Sequence, residues 1–103
     1  MKSADPLLAA WEETLARKGD TPAIFDTRGE VLRTFRAVES RGRAVETELG
    51  SRAEGEIYPI DIGNHPDWPS LLLASLRRRL VALPLEDSIT PQQRETALTV
   101  CNA

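Results

Sequence analysis

The sequence lacks the residues that several classes of protein site require. It has one cysteine, Cys101, so an internal disulfide or a cysteine zinc cluster cannot form, and its lone histidine, His65, gives no basis for a Ser-His-Asp set. The six glycines are scattered and form no cluster with serine or threonine, which leaves the chain without a phosphate-binding loop. No apolar run, Leu71 to Ala74 among them, comes near the length needed to span a membrane.

What the sequence does contain is an ordinary balance for a small folded domain. Apolar residues make up 41% and charged residues 28% of the 103 positions, and we expect a single domain over residues 1–103. The formal net charge of -3 gives no reason to expect nucleic acid or an anionic membrane as a partner. A single cysteine suits a reducing compartment, and we expect the cytoplasm.

The first third of the sequence predicts a helix followed by a β-hairpin. Asp5 is placed to cap a helix over Pro6 to Lys18, where apolar residues recur at helical spacing. Two short runs, residues 23–25 and 31–33, are strand candidates. Residues 26–29, which read Asp-Thr-Arg-Gly, lie between these runs and favour a tight turn.

A second helix is predicted from Phe35 to Leu49, with Thr34 as its N-terminal cap. Gly42 lies inside this helix, where glycine costs about 1 kcal/mol relative to alanine. Either the helix bends at Gly42, or a neighbouring element approaches it closely.

The second half of the sequence alternates strand and helix patterns. Strands are predicted over Ile57 to Ile62 and Leu80 to Leu85, with a helix over Asp67 to Arg79 between them. A last helix opens at Thr90, which forms a capping-box pattern with Gln93. Strand–helix–strand units of this length are typical of parallel sheets. The predicted fold is therefore α/β: one mostly parallel, layered βαβ sheet with flanking helices, preceded by an N-terminal helix and hairpin.

Two ordered stretches carry a family resemblance. Residues 32–38 read LRTFRAV, and residues 55–86 run from Gly-Glu through GNHPDW and LLASLR to VALPLE. In order and spacing they resemble two motifs near the N-terminus of adenylate-forming enzymes, a superfamily of acyl-CoA synthetases, luciferases and peptide-synthetase adenylation domains. The last helix and residues 101–103, Cys-Asn-Ala, are similar to the helix and Ser-Gly-Ala ending that follow in that family.

The resemblance implies that the chain is the N-terminal structural segment of a larger AMP-dependent acyl-CoA synthetase or ligase. Such a parent uses ATP and Mg²⁺ to convert a carboxylic acid into an acyl-adenylate, and then transfers the acyl group to a thiol, often that of coenzyme A. In the family the phosphate loop follows the segment that matches Ala103. We therefore expect this chain to hold no catalytic, cofactor-binding or metal-binding residue, and to be inactive without the remainder of the parent enzyme, its expected partner.

Three positions depart from the family pattern. Arg79 stands where the family has a glycine at a helix end, so its backbone is either strained or ends the helix differently. Pro59 lies within a predicted strand and lacks a donor for a ladder hydrogen bond, which indicates a bulge or an unpaired edge. Asp61 is charged where a buried strand residue would be apolar.

Several residues can be interpreted either as ligand contacts or as structural residues. His65 and Asn64 follow a strand, where α/β sheets place ligands, but a plain loop residue and a turn or helix cap are simpler interpretations. Trp11 and Trp68 are interpreted as packing residues rather than as cofactor platforms. Cys101 is interpreted as a small buried apolar residue.

The charged clusters have similar pairs of interpretations. The adjacent arginines at 77–79 could form a phosphate site, but they more simply complement the negative end of a helix. Glu86 and Asp87 suggest a metal site only weakly, because two adjacent carboxylates without further ligands are too few.

Three functions stay open on the sequence alone. The first is the structural segment of an adenylate-forming enzyme. The second is a stand-alone α/β module that binds a ligand at residues 63–68 or a protein partner. The third is a small flavodoxin-like enzyme, which the missing phosphate loop disfavours. If the first holds, surface that the remainder would cover is exposed, and we expect a homodimer or a larger oligomer.

Overall fold

The fold is described by a computed structural model that covers residues 5–86 and 88–101. The helices and strands follow one another in the order α1 (Pro6–Lys18), β1 (Pro22–Phe25), β2 (Val31–Thr34), α2 (Phe35–Glu48), β3 (Ile57–Ile60), α3 (Trp68–Arg77), β4 (Val81–Pro84) and α4 (Pro91–Val100). This order confirms the α/β class predicted from the sequence. Each described helix is too short or too polar to cross a membrane.

Side-chain caps begin α1, α2 and α4, as the sequence predicts. Asp5 Oδ1 accepts hydrogen bonds from the backbone N–H groups two and three residues further on, at 2.8 and 3.2 Å. Thr34 Oγ1 accepts one from Ala37 at 3.0 Å. Thr90 and Gln93 bond reciprocally, each side chain accepting from the other's backbone N–H at 3.1 and 2.9 Å. These bonds satisfy donors that the first turn of a helix leaves without partners.

The predicted hairpin is formed by β1 and β2, which pair antiparallel. Asp26 closes its turn, because its N–H donates to Glu30 O at 2.9 Å and its Oδ1 accepts from the N–H groups of Arg28 and Glu30 at 2.8 and 2.9 Å. Gly29 has a φ of 82°, a left-handed conformation that glycine adopts without a steric cost.

The βαβ unit is present, since β3 and β4 pair in parallel and α3 connects them. Within the described residues the hairpin and this pair form two separate two-stranded sheets, whereas the sequence predicted one sheet. The reason is that β2 passes directly into α2 at Thr34, so the hairpin packs against helices instead of continuing the sheet. β3 also ends at Ile60, before the charged Asp61, rather than at Ile62.

The core lies between α2 and α3 and consists of two apolar clusters. The first cluster contains Val45, Leu49, Ala74 and Leu80, and Tyr58 of β3 packs against it. The second cluster contains Leu8, Val38 and Leu73, and Trp11 and Ile24 pack against it. The parallel strands and the hairpin therefore rest on different parts of the same helix pair.

Gly42 lies at a close approach of α2 to α3. A Cβ atom placed on Gly42 would lie 3.4 Å from Ser70 O and 3.8 Å from Leu73 Cβ. Beside it, the buried Ser70 Oγ donates a hydrogen bond to Val38 O at 2.8 Å. The helix is continuous through Gly42, so the close approach of a neighbour, rather than a bend, explains the glycine.

Arg79 ends α3 in a left-handed conformation that glycine adopts more readily than other residues. Its φ is 56°, in the left-handed region. The N–H of Arg79 donates to Leu76 O at 3.1 Å, and the N–H of Leu80 donates to Ser75 O at 2.9 Å, which is the Schellman pattern of helix ends. The hydrogen bonds of this helix end are therefore ordinary. The cost is steric strain in the backbone of Arg79, because a residue with a Cβ atom is disfavoured at a positive φ.

Pro59 lies at a strand edge and makes no bulge, because β3 and β4 pair residue by residue. Leu85 N–H donates to Ile60 O at 2.9 Å across the pair. Successive residues of a strand direct their backbone groups to opposite edges of the strand. The backbone nitrogens of Pro59 on β3 and Pro84 on β4 therefore point away from the partner strand. Each proline therefore lies where its missing donor costs no hydrogen bond of the described pair.

α4 is the least buried of the described helices, with no buried side chain. Ala97, Leu98 and Cys101 are half-buried, and they lie on the side that the sequence predicts to face inward. Arg94 donates to Asp61 Oδ2 at 2.6 Å, just beyond the end of β3. This ion pair explains a charged residue at position 61.

Candidate functional site

The turn after β3 brings polar and aromatic side chains to the carboxyl end of the parallel strands. Gly63 has a φ of 59° and reverses the chain there. Trp68 N–H then donates to His65 O at 3.0 Å, and α3 begins. Ligands of open α/β sheets bind at this end of the strands, so this turn, residues 63–68, is the candidate site.

A cleft of about 700 Å³ lies between this turn and the hairpin. Most of its wall is apolar and comes from Ile24, Phe25, Leu32, Pro66, Trp68 and Pro69. Asp26, Thr27, Asn64 and His65 supply polar atoms. Such a lining suits an apolar group that carries one polar end.

A second cleft of about 390 Å³ lies on the other side of the same turn. Its opposite wall is formed by Pro84, Leu85, Glu86 and Ser88 at and after the end of β4. Asn64 and Trp68 line both clefts, so the turn is the wall that they share.

Asp67 anchors the turn through two arginines. Arg33 Nη2 lies 3.4 Å from its Oδ1, and Arg41 Nε lies 3.2 Å from its Oδ2. Burial alone would raise the pKa of Asp67, but the hydrogen bonds from Arg41 and Arg33 and the charge of Arg41 outweigh burial and lower the pKa. The carboxylate is therefore ionised, and it ties the turn to β2 and α2.

His65 contacts the backbone of the same turn. Its Nδ1 accepts a hydrogen bond from Asp67 N–H at 3.0 Å, and its side chain is half-exposed. An accepting ring nitrogen carries no proton, so in this arrangement the neutral ring has its proton on Nε2. Because His65 Nδ1 and the Asp67 carboxylate are both engaged, neither is free to act as a general base.

The three adjacent arginines diverge to three different partners. Arg77 Nη2 lies 2.8 Å from Glu39 Oε1 on α2. Arg78 Nη2 donates to Gly50 O at 3.0 Å, and Arg79 Nη1 lies 3.3 Å from Glu54 Oε1. This separation does not favour a shared phosphate site at residues 77–79.

Glu39 is a charged centre of the core that the sequence does not reveal. Besides the Arg77 contact, its Oε1 accepts from Trp11 Nε1 at 3.0 Å and its Oε2 accepts from Arg43 Nε at 2.9 Å. One carboxylate thus joins α1, α2 and α3. Trp11 also lies 5.9 Å, centre to centre, from the ring of Phe35, in agreement with its interpretation as a packing residue.

The remaining candidate residues, Glu86 and Cys101, have few contacts that would suggest a site. Glu86 is exposed and accepts from Ser88 Oγ at 3.3 Å, whereas Asp87 lies outside the described residues. Cys101 is half-buried rather than buried. Within residues 5–86 and 88–101, no three His, Cys, Asp or Glu side chains are grouped to hold a metal ion.

The sequence places the turn correctly but misses the hairpin wall of the first cleft. Ile24, Phe25 and Leu32 reach the cleft because the hairpin is tied to the turn by the Arg33–Asp67 ion pair, 34 residues apart. No local pattern encodes a pairing at that separation. The half-exposed Phe25, an aromatic residue next to a turn, is the nearest sequence signal.

No family model matches the sequence, and no curated protein matches it. The fold does match solved structures. The NpsA N-terminal subdomain from Klebsiella oxytoca superposes with a TM-score of 0.78 at 23% identity, covering 90% of this chain and 24% of the subdomain. The same subdomain in complex with anthranilyl-AMSN covers 100% of this chain and 27% of the solved chain, with a TM-score of 0.76 at 22% identity.

A third similar structure is NpsA-ThdA, an artificially fused adenylation–PCP di-domain from the same organism. It gives a TM-score of 0.78 at 24% identity and covers 90% of this chain and 18% of the di-domain. The chain thus spans about a quarter of the solved subdomains and less of the fusion. These matches confirm, in the fold, the resemblance to the N-terminal part of adenylate-forming enzymes. The chain therefore has the fold of one segment of an adenylation-domain N-terminal subdomain.

Proposed function

We propose that this chain is a structural segment of an adenylate-forming enzyme of the AMP-dependent acyl-CoA synthetase and ligase type. The observation that carries the proposal is the agreement of two independent features. The ordered motifs at residues 32–38 and 55–86 point to the N-terminal region of that superfamily, and so does the fold shared with the NpsA subdomain.

The proposed parent enzyme activates a carboxylic acid with ATP, releases pyrophosphate, and passes the acyl group to the thiol of coenzyme A. Its ATP and Mg²⁺ would be held by the remainder of the parent, which is the proposed partner of this chain. The chain's own residues do not fit ATP. It has no Ser/Thr/Gly-rich loop, and Asp26 and Glu86 place carboxylates at the two clefts, where they repel a triphosphate.

The role proposed for the chain itself is support. The Asp67 and Glu39 ion pairs fix the turn and the helices, and thereby position the carboxyl end of β3 and β4 for the rest of a larger domain. The proposed compartment is the cytoplasm, because the chain carries one unpaired cysteine.

An ATP–pyrophosphate exchange assay on the purified 103-residue chain tests the supporting role. We expect no exchange with any carboxylic acid, since exchange requires a phosphate loop that this sequence does not have. Turnover that survives repurification, with a heat-denatured sample as the blank, would contradict the proposal.

The reading frame downstream of codon 103 tests whether the chain is part of a larger parent enzyme. We expect it to continue into a Ser/Thr/Gly-rich loop and, later, a lysine in a C-terminal domain. A stop codon directly after Ala103 would count against a segment of a larger enzyme and in favour of the second candidate.

The second candidate is a stand-alone ligand-binding or interaction module, which the 700 Å³ cleft favours. Calorimetry with ATP, coenzyme A and benzoate separates the two candidates. A stand-alone module predicts saturable heat that Trp68→Ala removes and Val100→Ala, remote from the cleft lining, leaves unchanged. A structural segment predicts no heat with any of the three.

A further inference from the structure

Asp26 gives the first cleft a carboxylate that has no charged partner. Its side chain is a half-buried part of the cleft wall, and its Oδ1 accepts from the N–H groups of Arg28 and Glu30 at 2.8 and 2.9 Å. Within residues 5–86 and 88–101, its Oδ2 accepts no hydrogen bond and the carboxylate forms no ion pair. One carboxylate oxygen is therefore left for a ligand.

Among the described residues of the cleft wall, no positive charge offsets this carboxylate. Arg28 lies in the same turn but is exposed and outside the lining. Arg33 is engaged elsewhere, because it donates to Leu32 O at 2.9 Å and pairs with Asp67 at 3.4 Å. His65 does line the cleft, but its Nδ1 accepts from Asp67 N–H, so the ring is neutral. A cleft with one uncompensated negative charge attracts a cation and repels an anion.

The start of α3 also lies at this cleft, and helix starts usually favour anions because they offer free N–H groups. Here those groups are occupied or missing. Trp68 N–H donates to His65 O at 3.0 Å, and Asp67 N–H donates to His65 Nδ1 at the same distance. Pro69, the next residue, has no N–H. A ligand carboxylate or phosphate therefore finds little to bind at this helix start.

The rest of the wall suits a flat apolar body. Phe25 on the hairpin is 53% exposed, Leu32 beside it is 40% exposed, and Trp68 contributes a second aromatic ring from the turn. The cleft volume of about 700 Å³ is within the range of small-molecule sites. Aromatic rings also attract cations through their faces. We propose that the first cleft binds a small arylalkylamine, whose aryl group packs against the apolar wall and whose ammonium group pairs with Asp26.

This inference goes beyond the proposed function and does not rest on it. The cleft is built from residues of this chain, and the Arg33–Asp67 ion pair holds its two walls together. Its charge disfavours the carboxylic acid that the proposed parent activates, so the amine would be a separate ligand. Amine binding leaves the supporting role undecided, and its absence leaves that role intact, because the exchange assay and the reading frame test the role.

An NMR titration of the 15N-labelled full chain tests the site with three ligands of similar shape and different charge. Phenethylamine should shift the amides of residues 24–32 and 63–69 saturably, with a Kd on the order of 1 mM for a ligand of this size. Phenethyl alcohol, which is neutral, should bind about two- to five-fold more weakly, as expected for loss of a partly exposed ion pair. Hydrocinnamate, which is anionic, should bind most weakly. Added salt should weaken binding of the amine and leave binding of the alcohol unchanged.

Three variants make the test specific. Asp26→Asn removes the charge but keeps an acceptor oxygen for the turn, so the amine should then bind only as tightly as the alcohol. Glu30→Gln, at an exposed position of the same turn outside the cleft lining, should leave the affinity for the amine unchanged. Phe25→Ala, at a half-exposed position, should weaken the amine and the alcohol alike.

Three results would overturn the proposal. The first is equal affinity for the amine and the alcohol in the unaltered protein. The second is an equal effect of Asp26→Asn and Glu30→Gln on the affinity for the amine. The third is an absence of saturable shifts at residues 24–32 and 63–69 when the amine is added well above the millimolar range.

Discussion

Arg77 of α3 lies 2.8 Å from Glu39 of α2, and the side chain of Arg77 is 7% exposed. The guanidinium is thus held in the core by a carboxylate that also accepts from Trp11 of α1. A charge that is buried this far is tolerated only while its partner is ionised and in place. Packing of the three helices therefore depends on one ion pair.

Glu39→Gln should destabilise the fold strongly. The substitution leaves the Arg77 charge buried without a counter-charge, and loss of one partner of a buried pair costs about 3 kcal/mol or more. Urea unfolding followed by circular dichroism measures the change. Glu46→Gln is the matched control, because Glu46 pairs with the half-exposed Arg43 at 3.2 Å and should cost less than about 1 kcal/mol. Equal losses in both variants would contradict the central role of Glu39.

The same carboxylate should make stability depend on pH in the acid range. Burial alone would raise the pKa of Glu39, but hydrogen bonds from Trp11 and Arg77 and the charge of Arg77 lower the pKa beneath its ordinary value of 4.5. A carboxyl whose pKa is lower in the folded state stabilises the fold above its unfolded pKa, and this contribution is lost as pH falls through the folded pKa. The free energy of unfolding should therefore decrease as pH falls below about 4.5.

Glu39→Gln should remove part of this pH dependence, which urea titrations at several acid pH values would measure. Asp67 should account for a further part, because its pKa is also lowered, from 3.8. Glu13→Gln, at an exposed position on α1, is the control and should leave the profile unchanged. A Glu39→Gln profile parallel to that of the unaltered protein would refute the assignment.

The helix starts were predictable from the sequence because their determinants are local. The side chains of Asp5, Thr34 and Thr90 each cap a helix by bonding a backbone N–H no more than three residues away. The contacts of Asp67 and Glu39 were not predictable, because their partners lie on other elements. Arg41 and Arg33 are 26 and 34 residues from Asp67, and Trp11 is 28 residues from Glu39. Such pairings are set by how helices pack, which no local spacing encodes.

Gly42→Ala should stabilise the chain rather than disrupt it. The added methyl group would meet Ser70 O at 3.4 Å and Leu73 Cβ at 3.8 Å, which are ordinary contact distances. Alanine within a helix is favoured over glycine by about 0.5–1 kcal/mol, so the helix gain is not offset by a clash. Thermal and urea unfolding would measure the gain.

A larger side chain at the same position should have the opposite effect. Gly42→Leu would force α2 and α3 apart and should cost about 1–3 kcal/mol, the usual range for overpacking. Loss of stability already in Gly42→Ala would mean that the two helices are closer than the distances to Ser70 and Leu73 indicate.

Arg79→Gly should also stabilise the chain. A non-glycine residue in the left-handed conformation costs about 1–2 kcal/mol, and Arg79 has a φ of 56°. Part of the gain is offset by the greater freedom of glycine in the unfolded chain, so about 0.5–1 kcal/mol should remain. The lost contact with Glu54 matters little, since both side chains are largely exposed. Arg79→Ala keeps the strain and should show no gain in the same urea titration.

The second face of the parallel strand pair should drive self-association. Tyr58 packs against α2 and α3, and the buried Ile60, two residues further along β3, lies on the same face. The alternate residues Ile57, Pro59, Val81 and Leu83 therefore lie on the opposite face. These residues are apolar, yet Val81 is 50% exposed. Parallel sheets normally have both faces covered. We therefore expect dimers or larger oligomers of the purified chain, with sedimentation velocity at increasing concentration as the measurement.

Val81→Lys tests whether this face is the contact. A charge there should lower the average mass at a given concentration, because a lysine cannot be buried in an apolar interface without a partner. It should leave the free energy of unfolding of the monomer nearly unchanged, since the position is already half-exposed. Val100→Lys, on the exposed side of α4, should leave association as it is. A chain that is monomeric at every concentration contradicts the prediction, and equal effects of the two lysines would assign the contact to a surface other than the strand face.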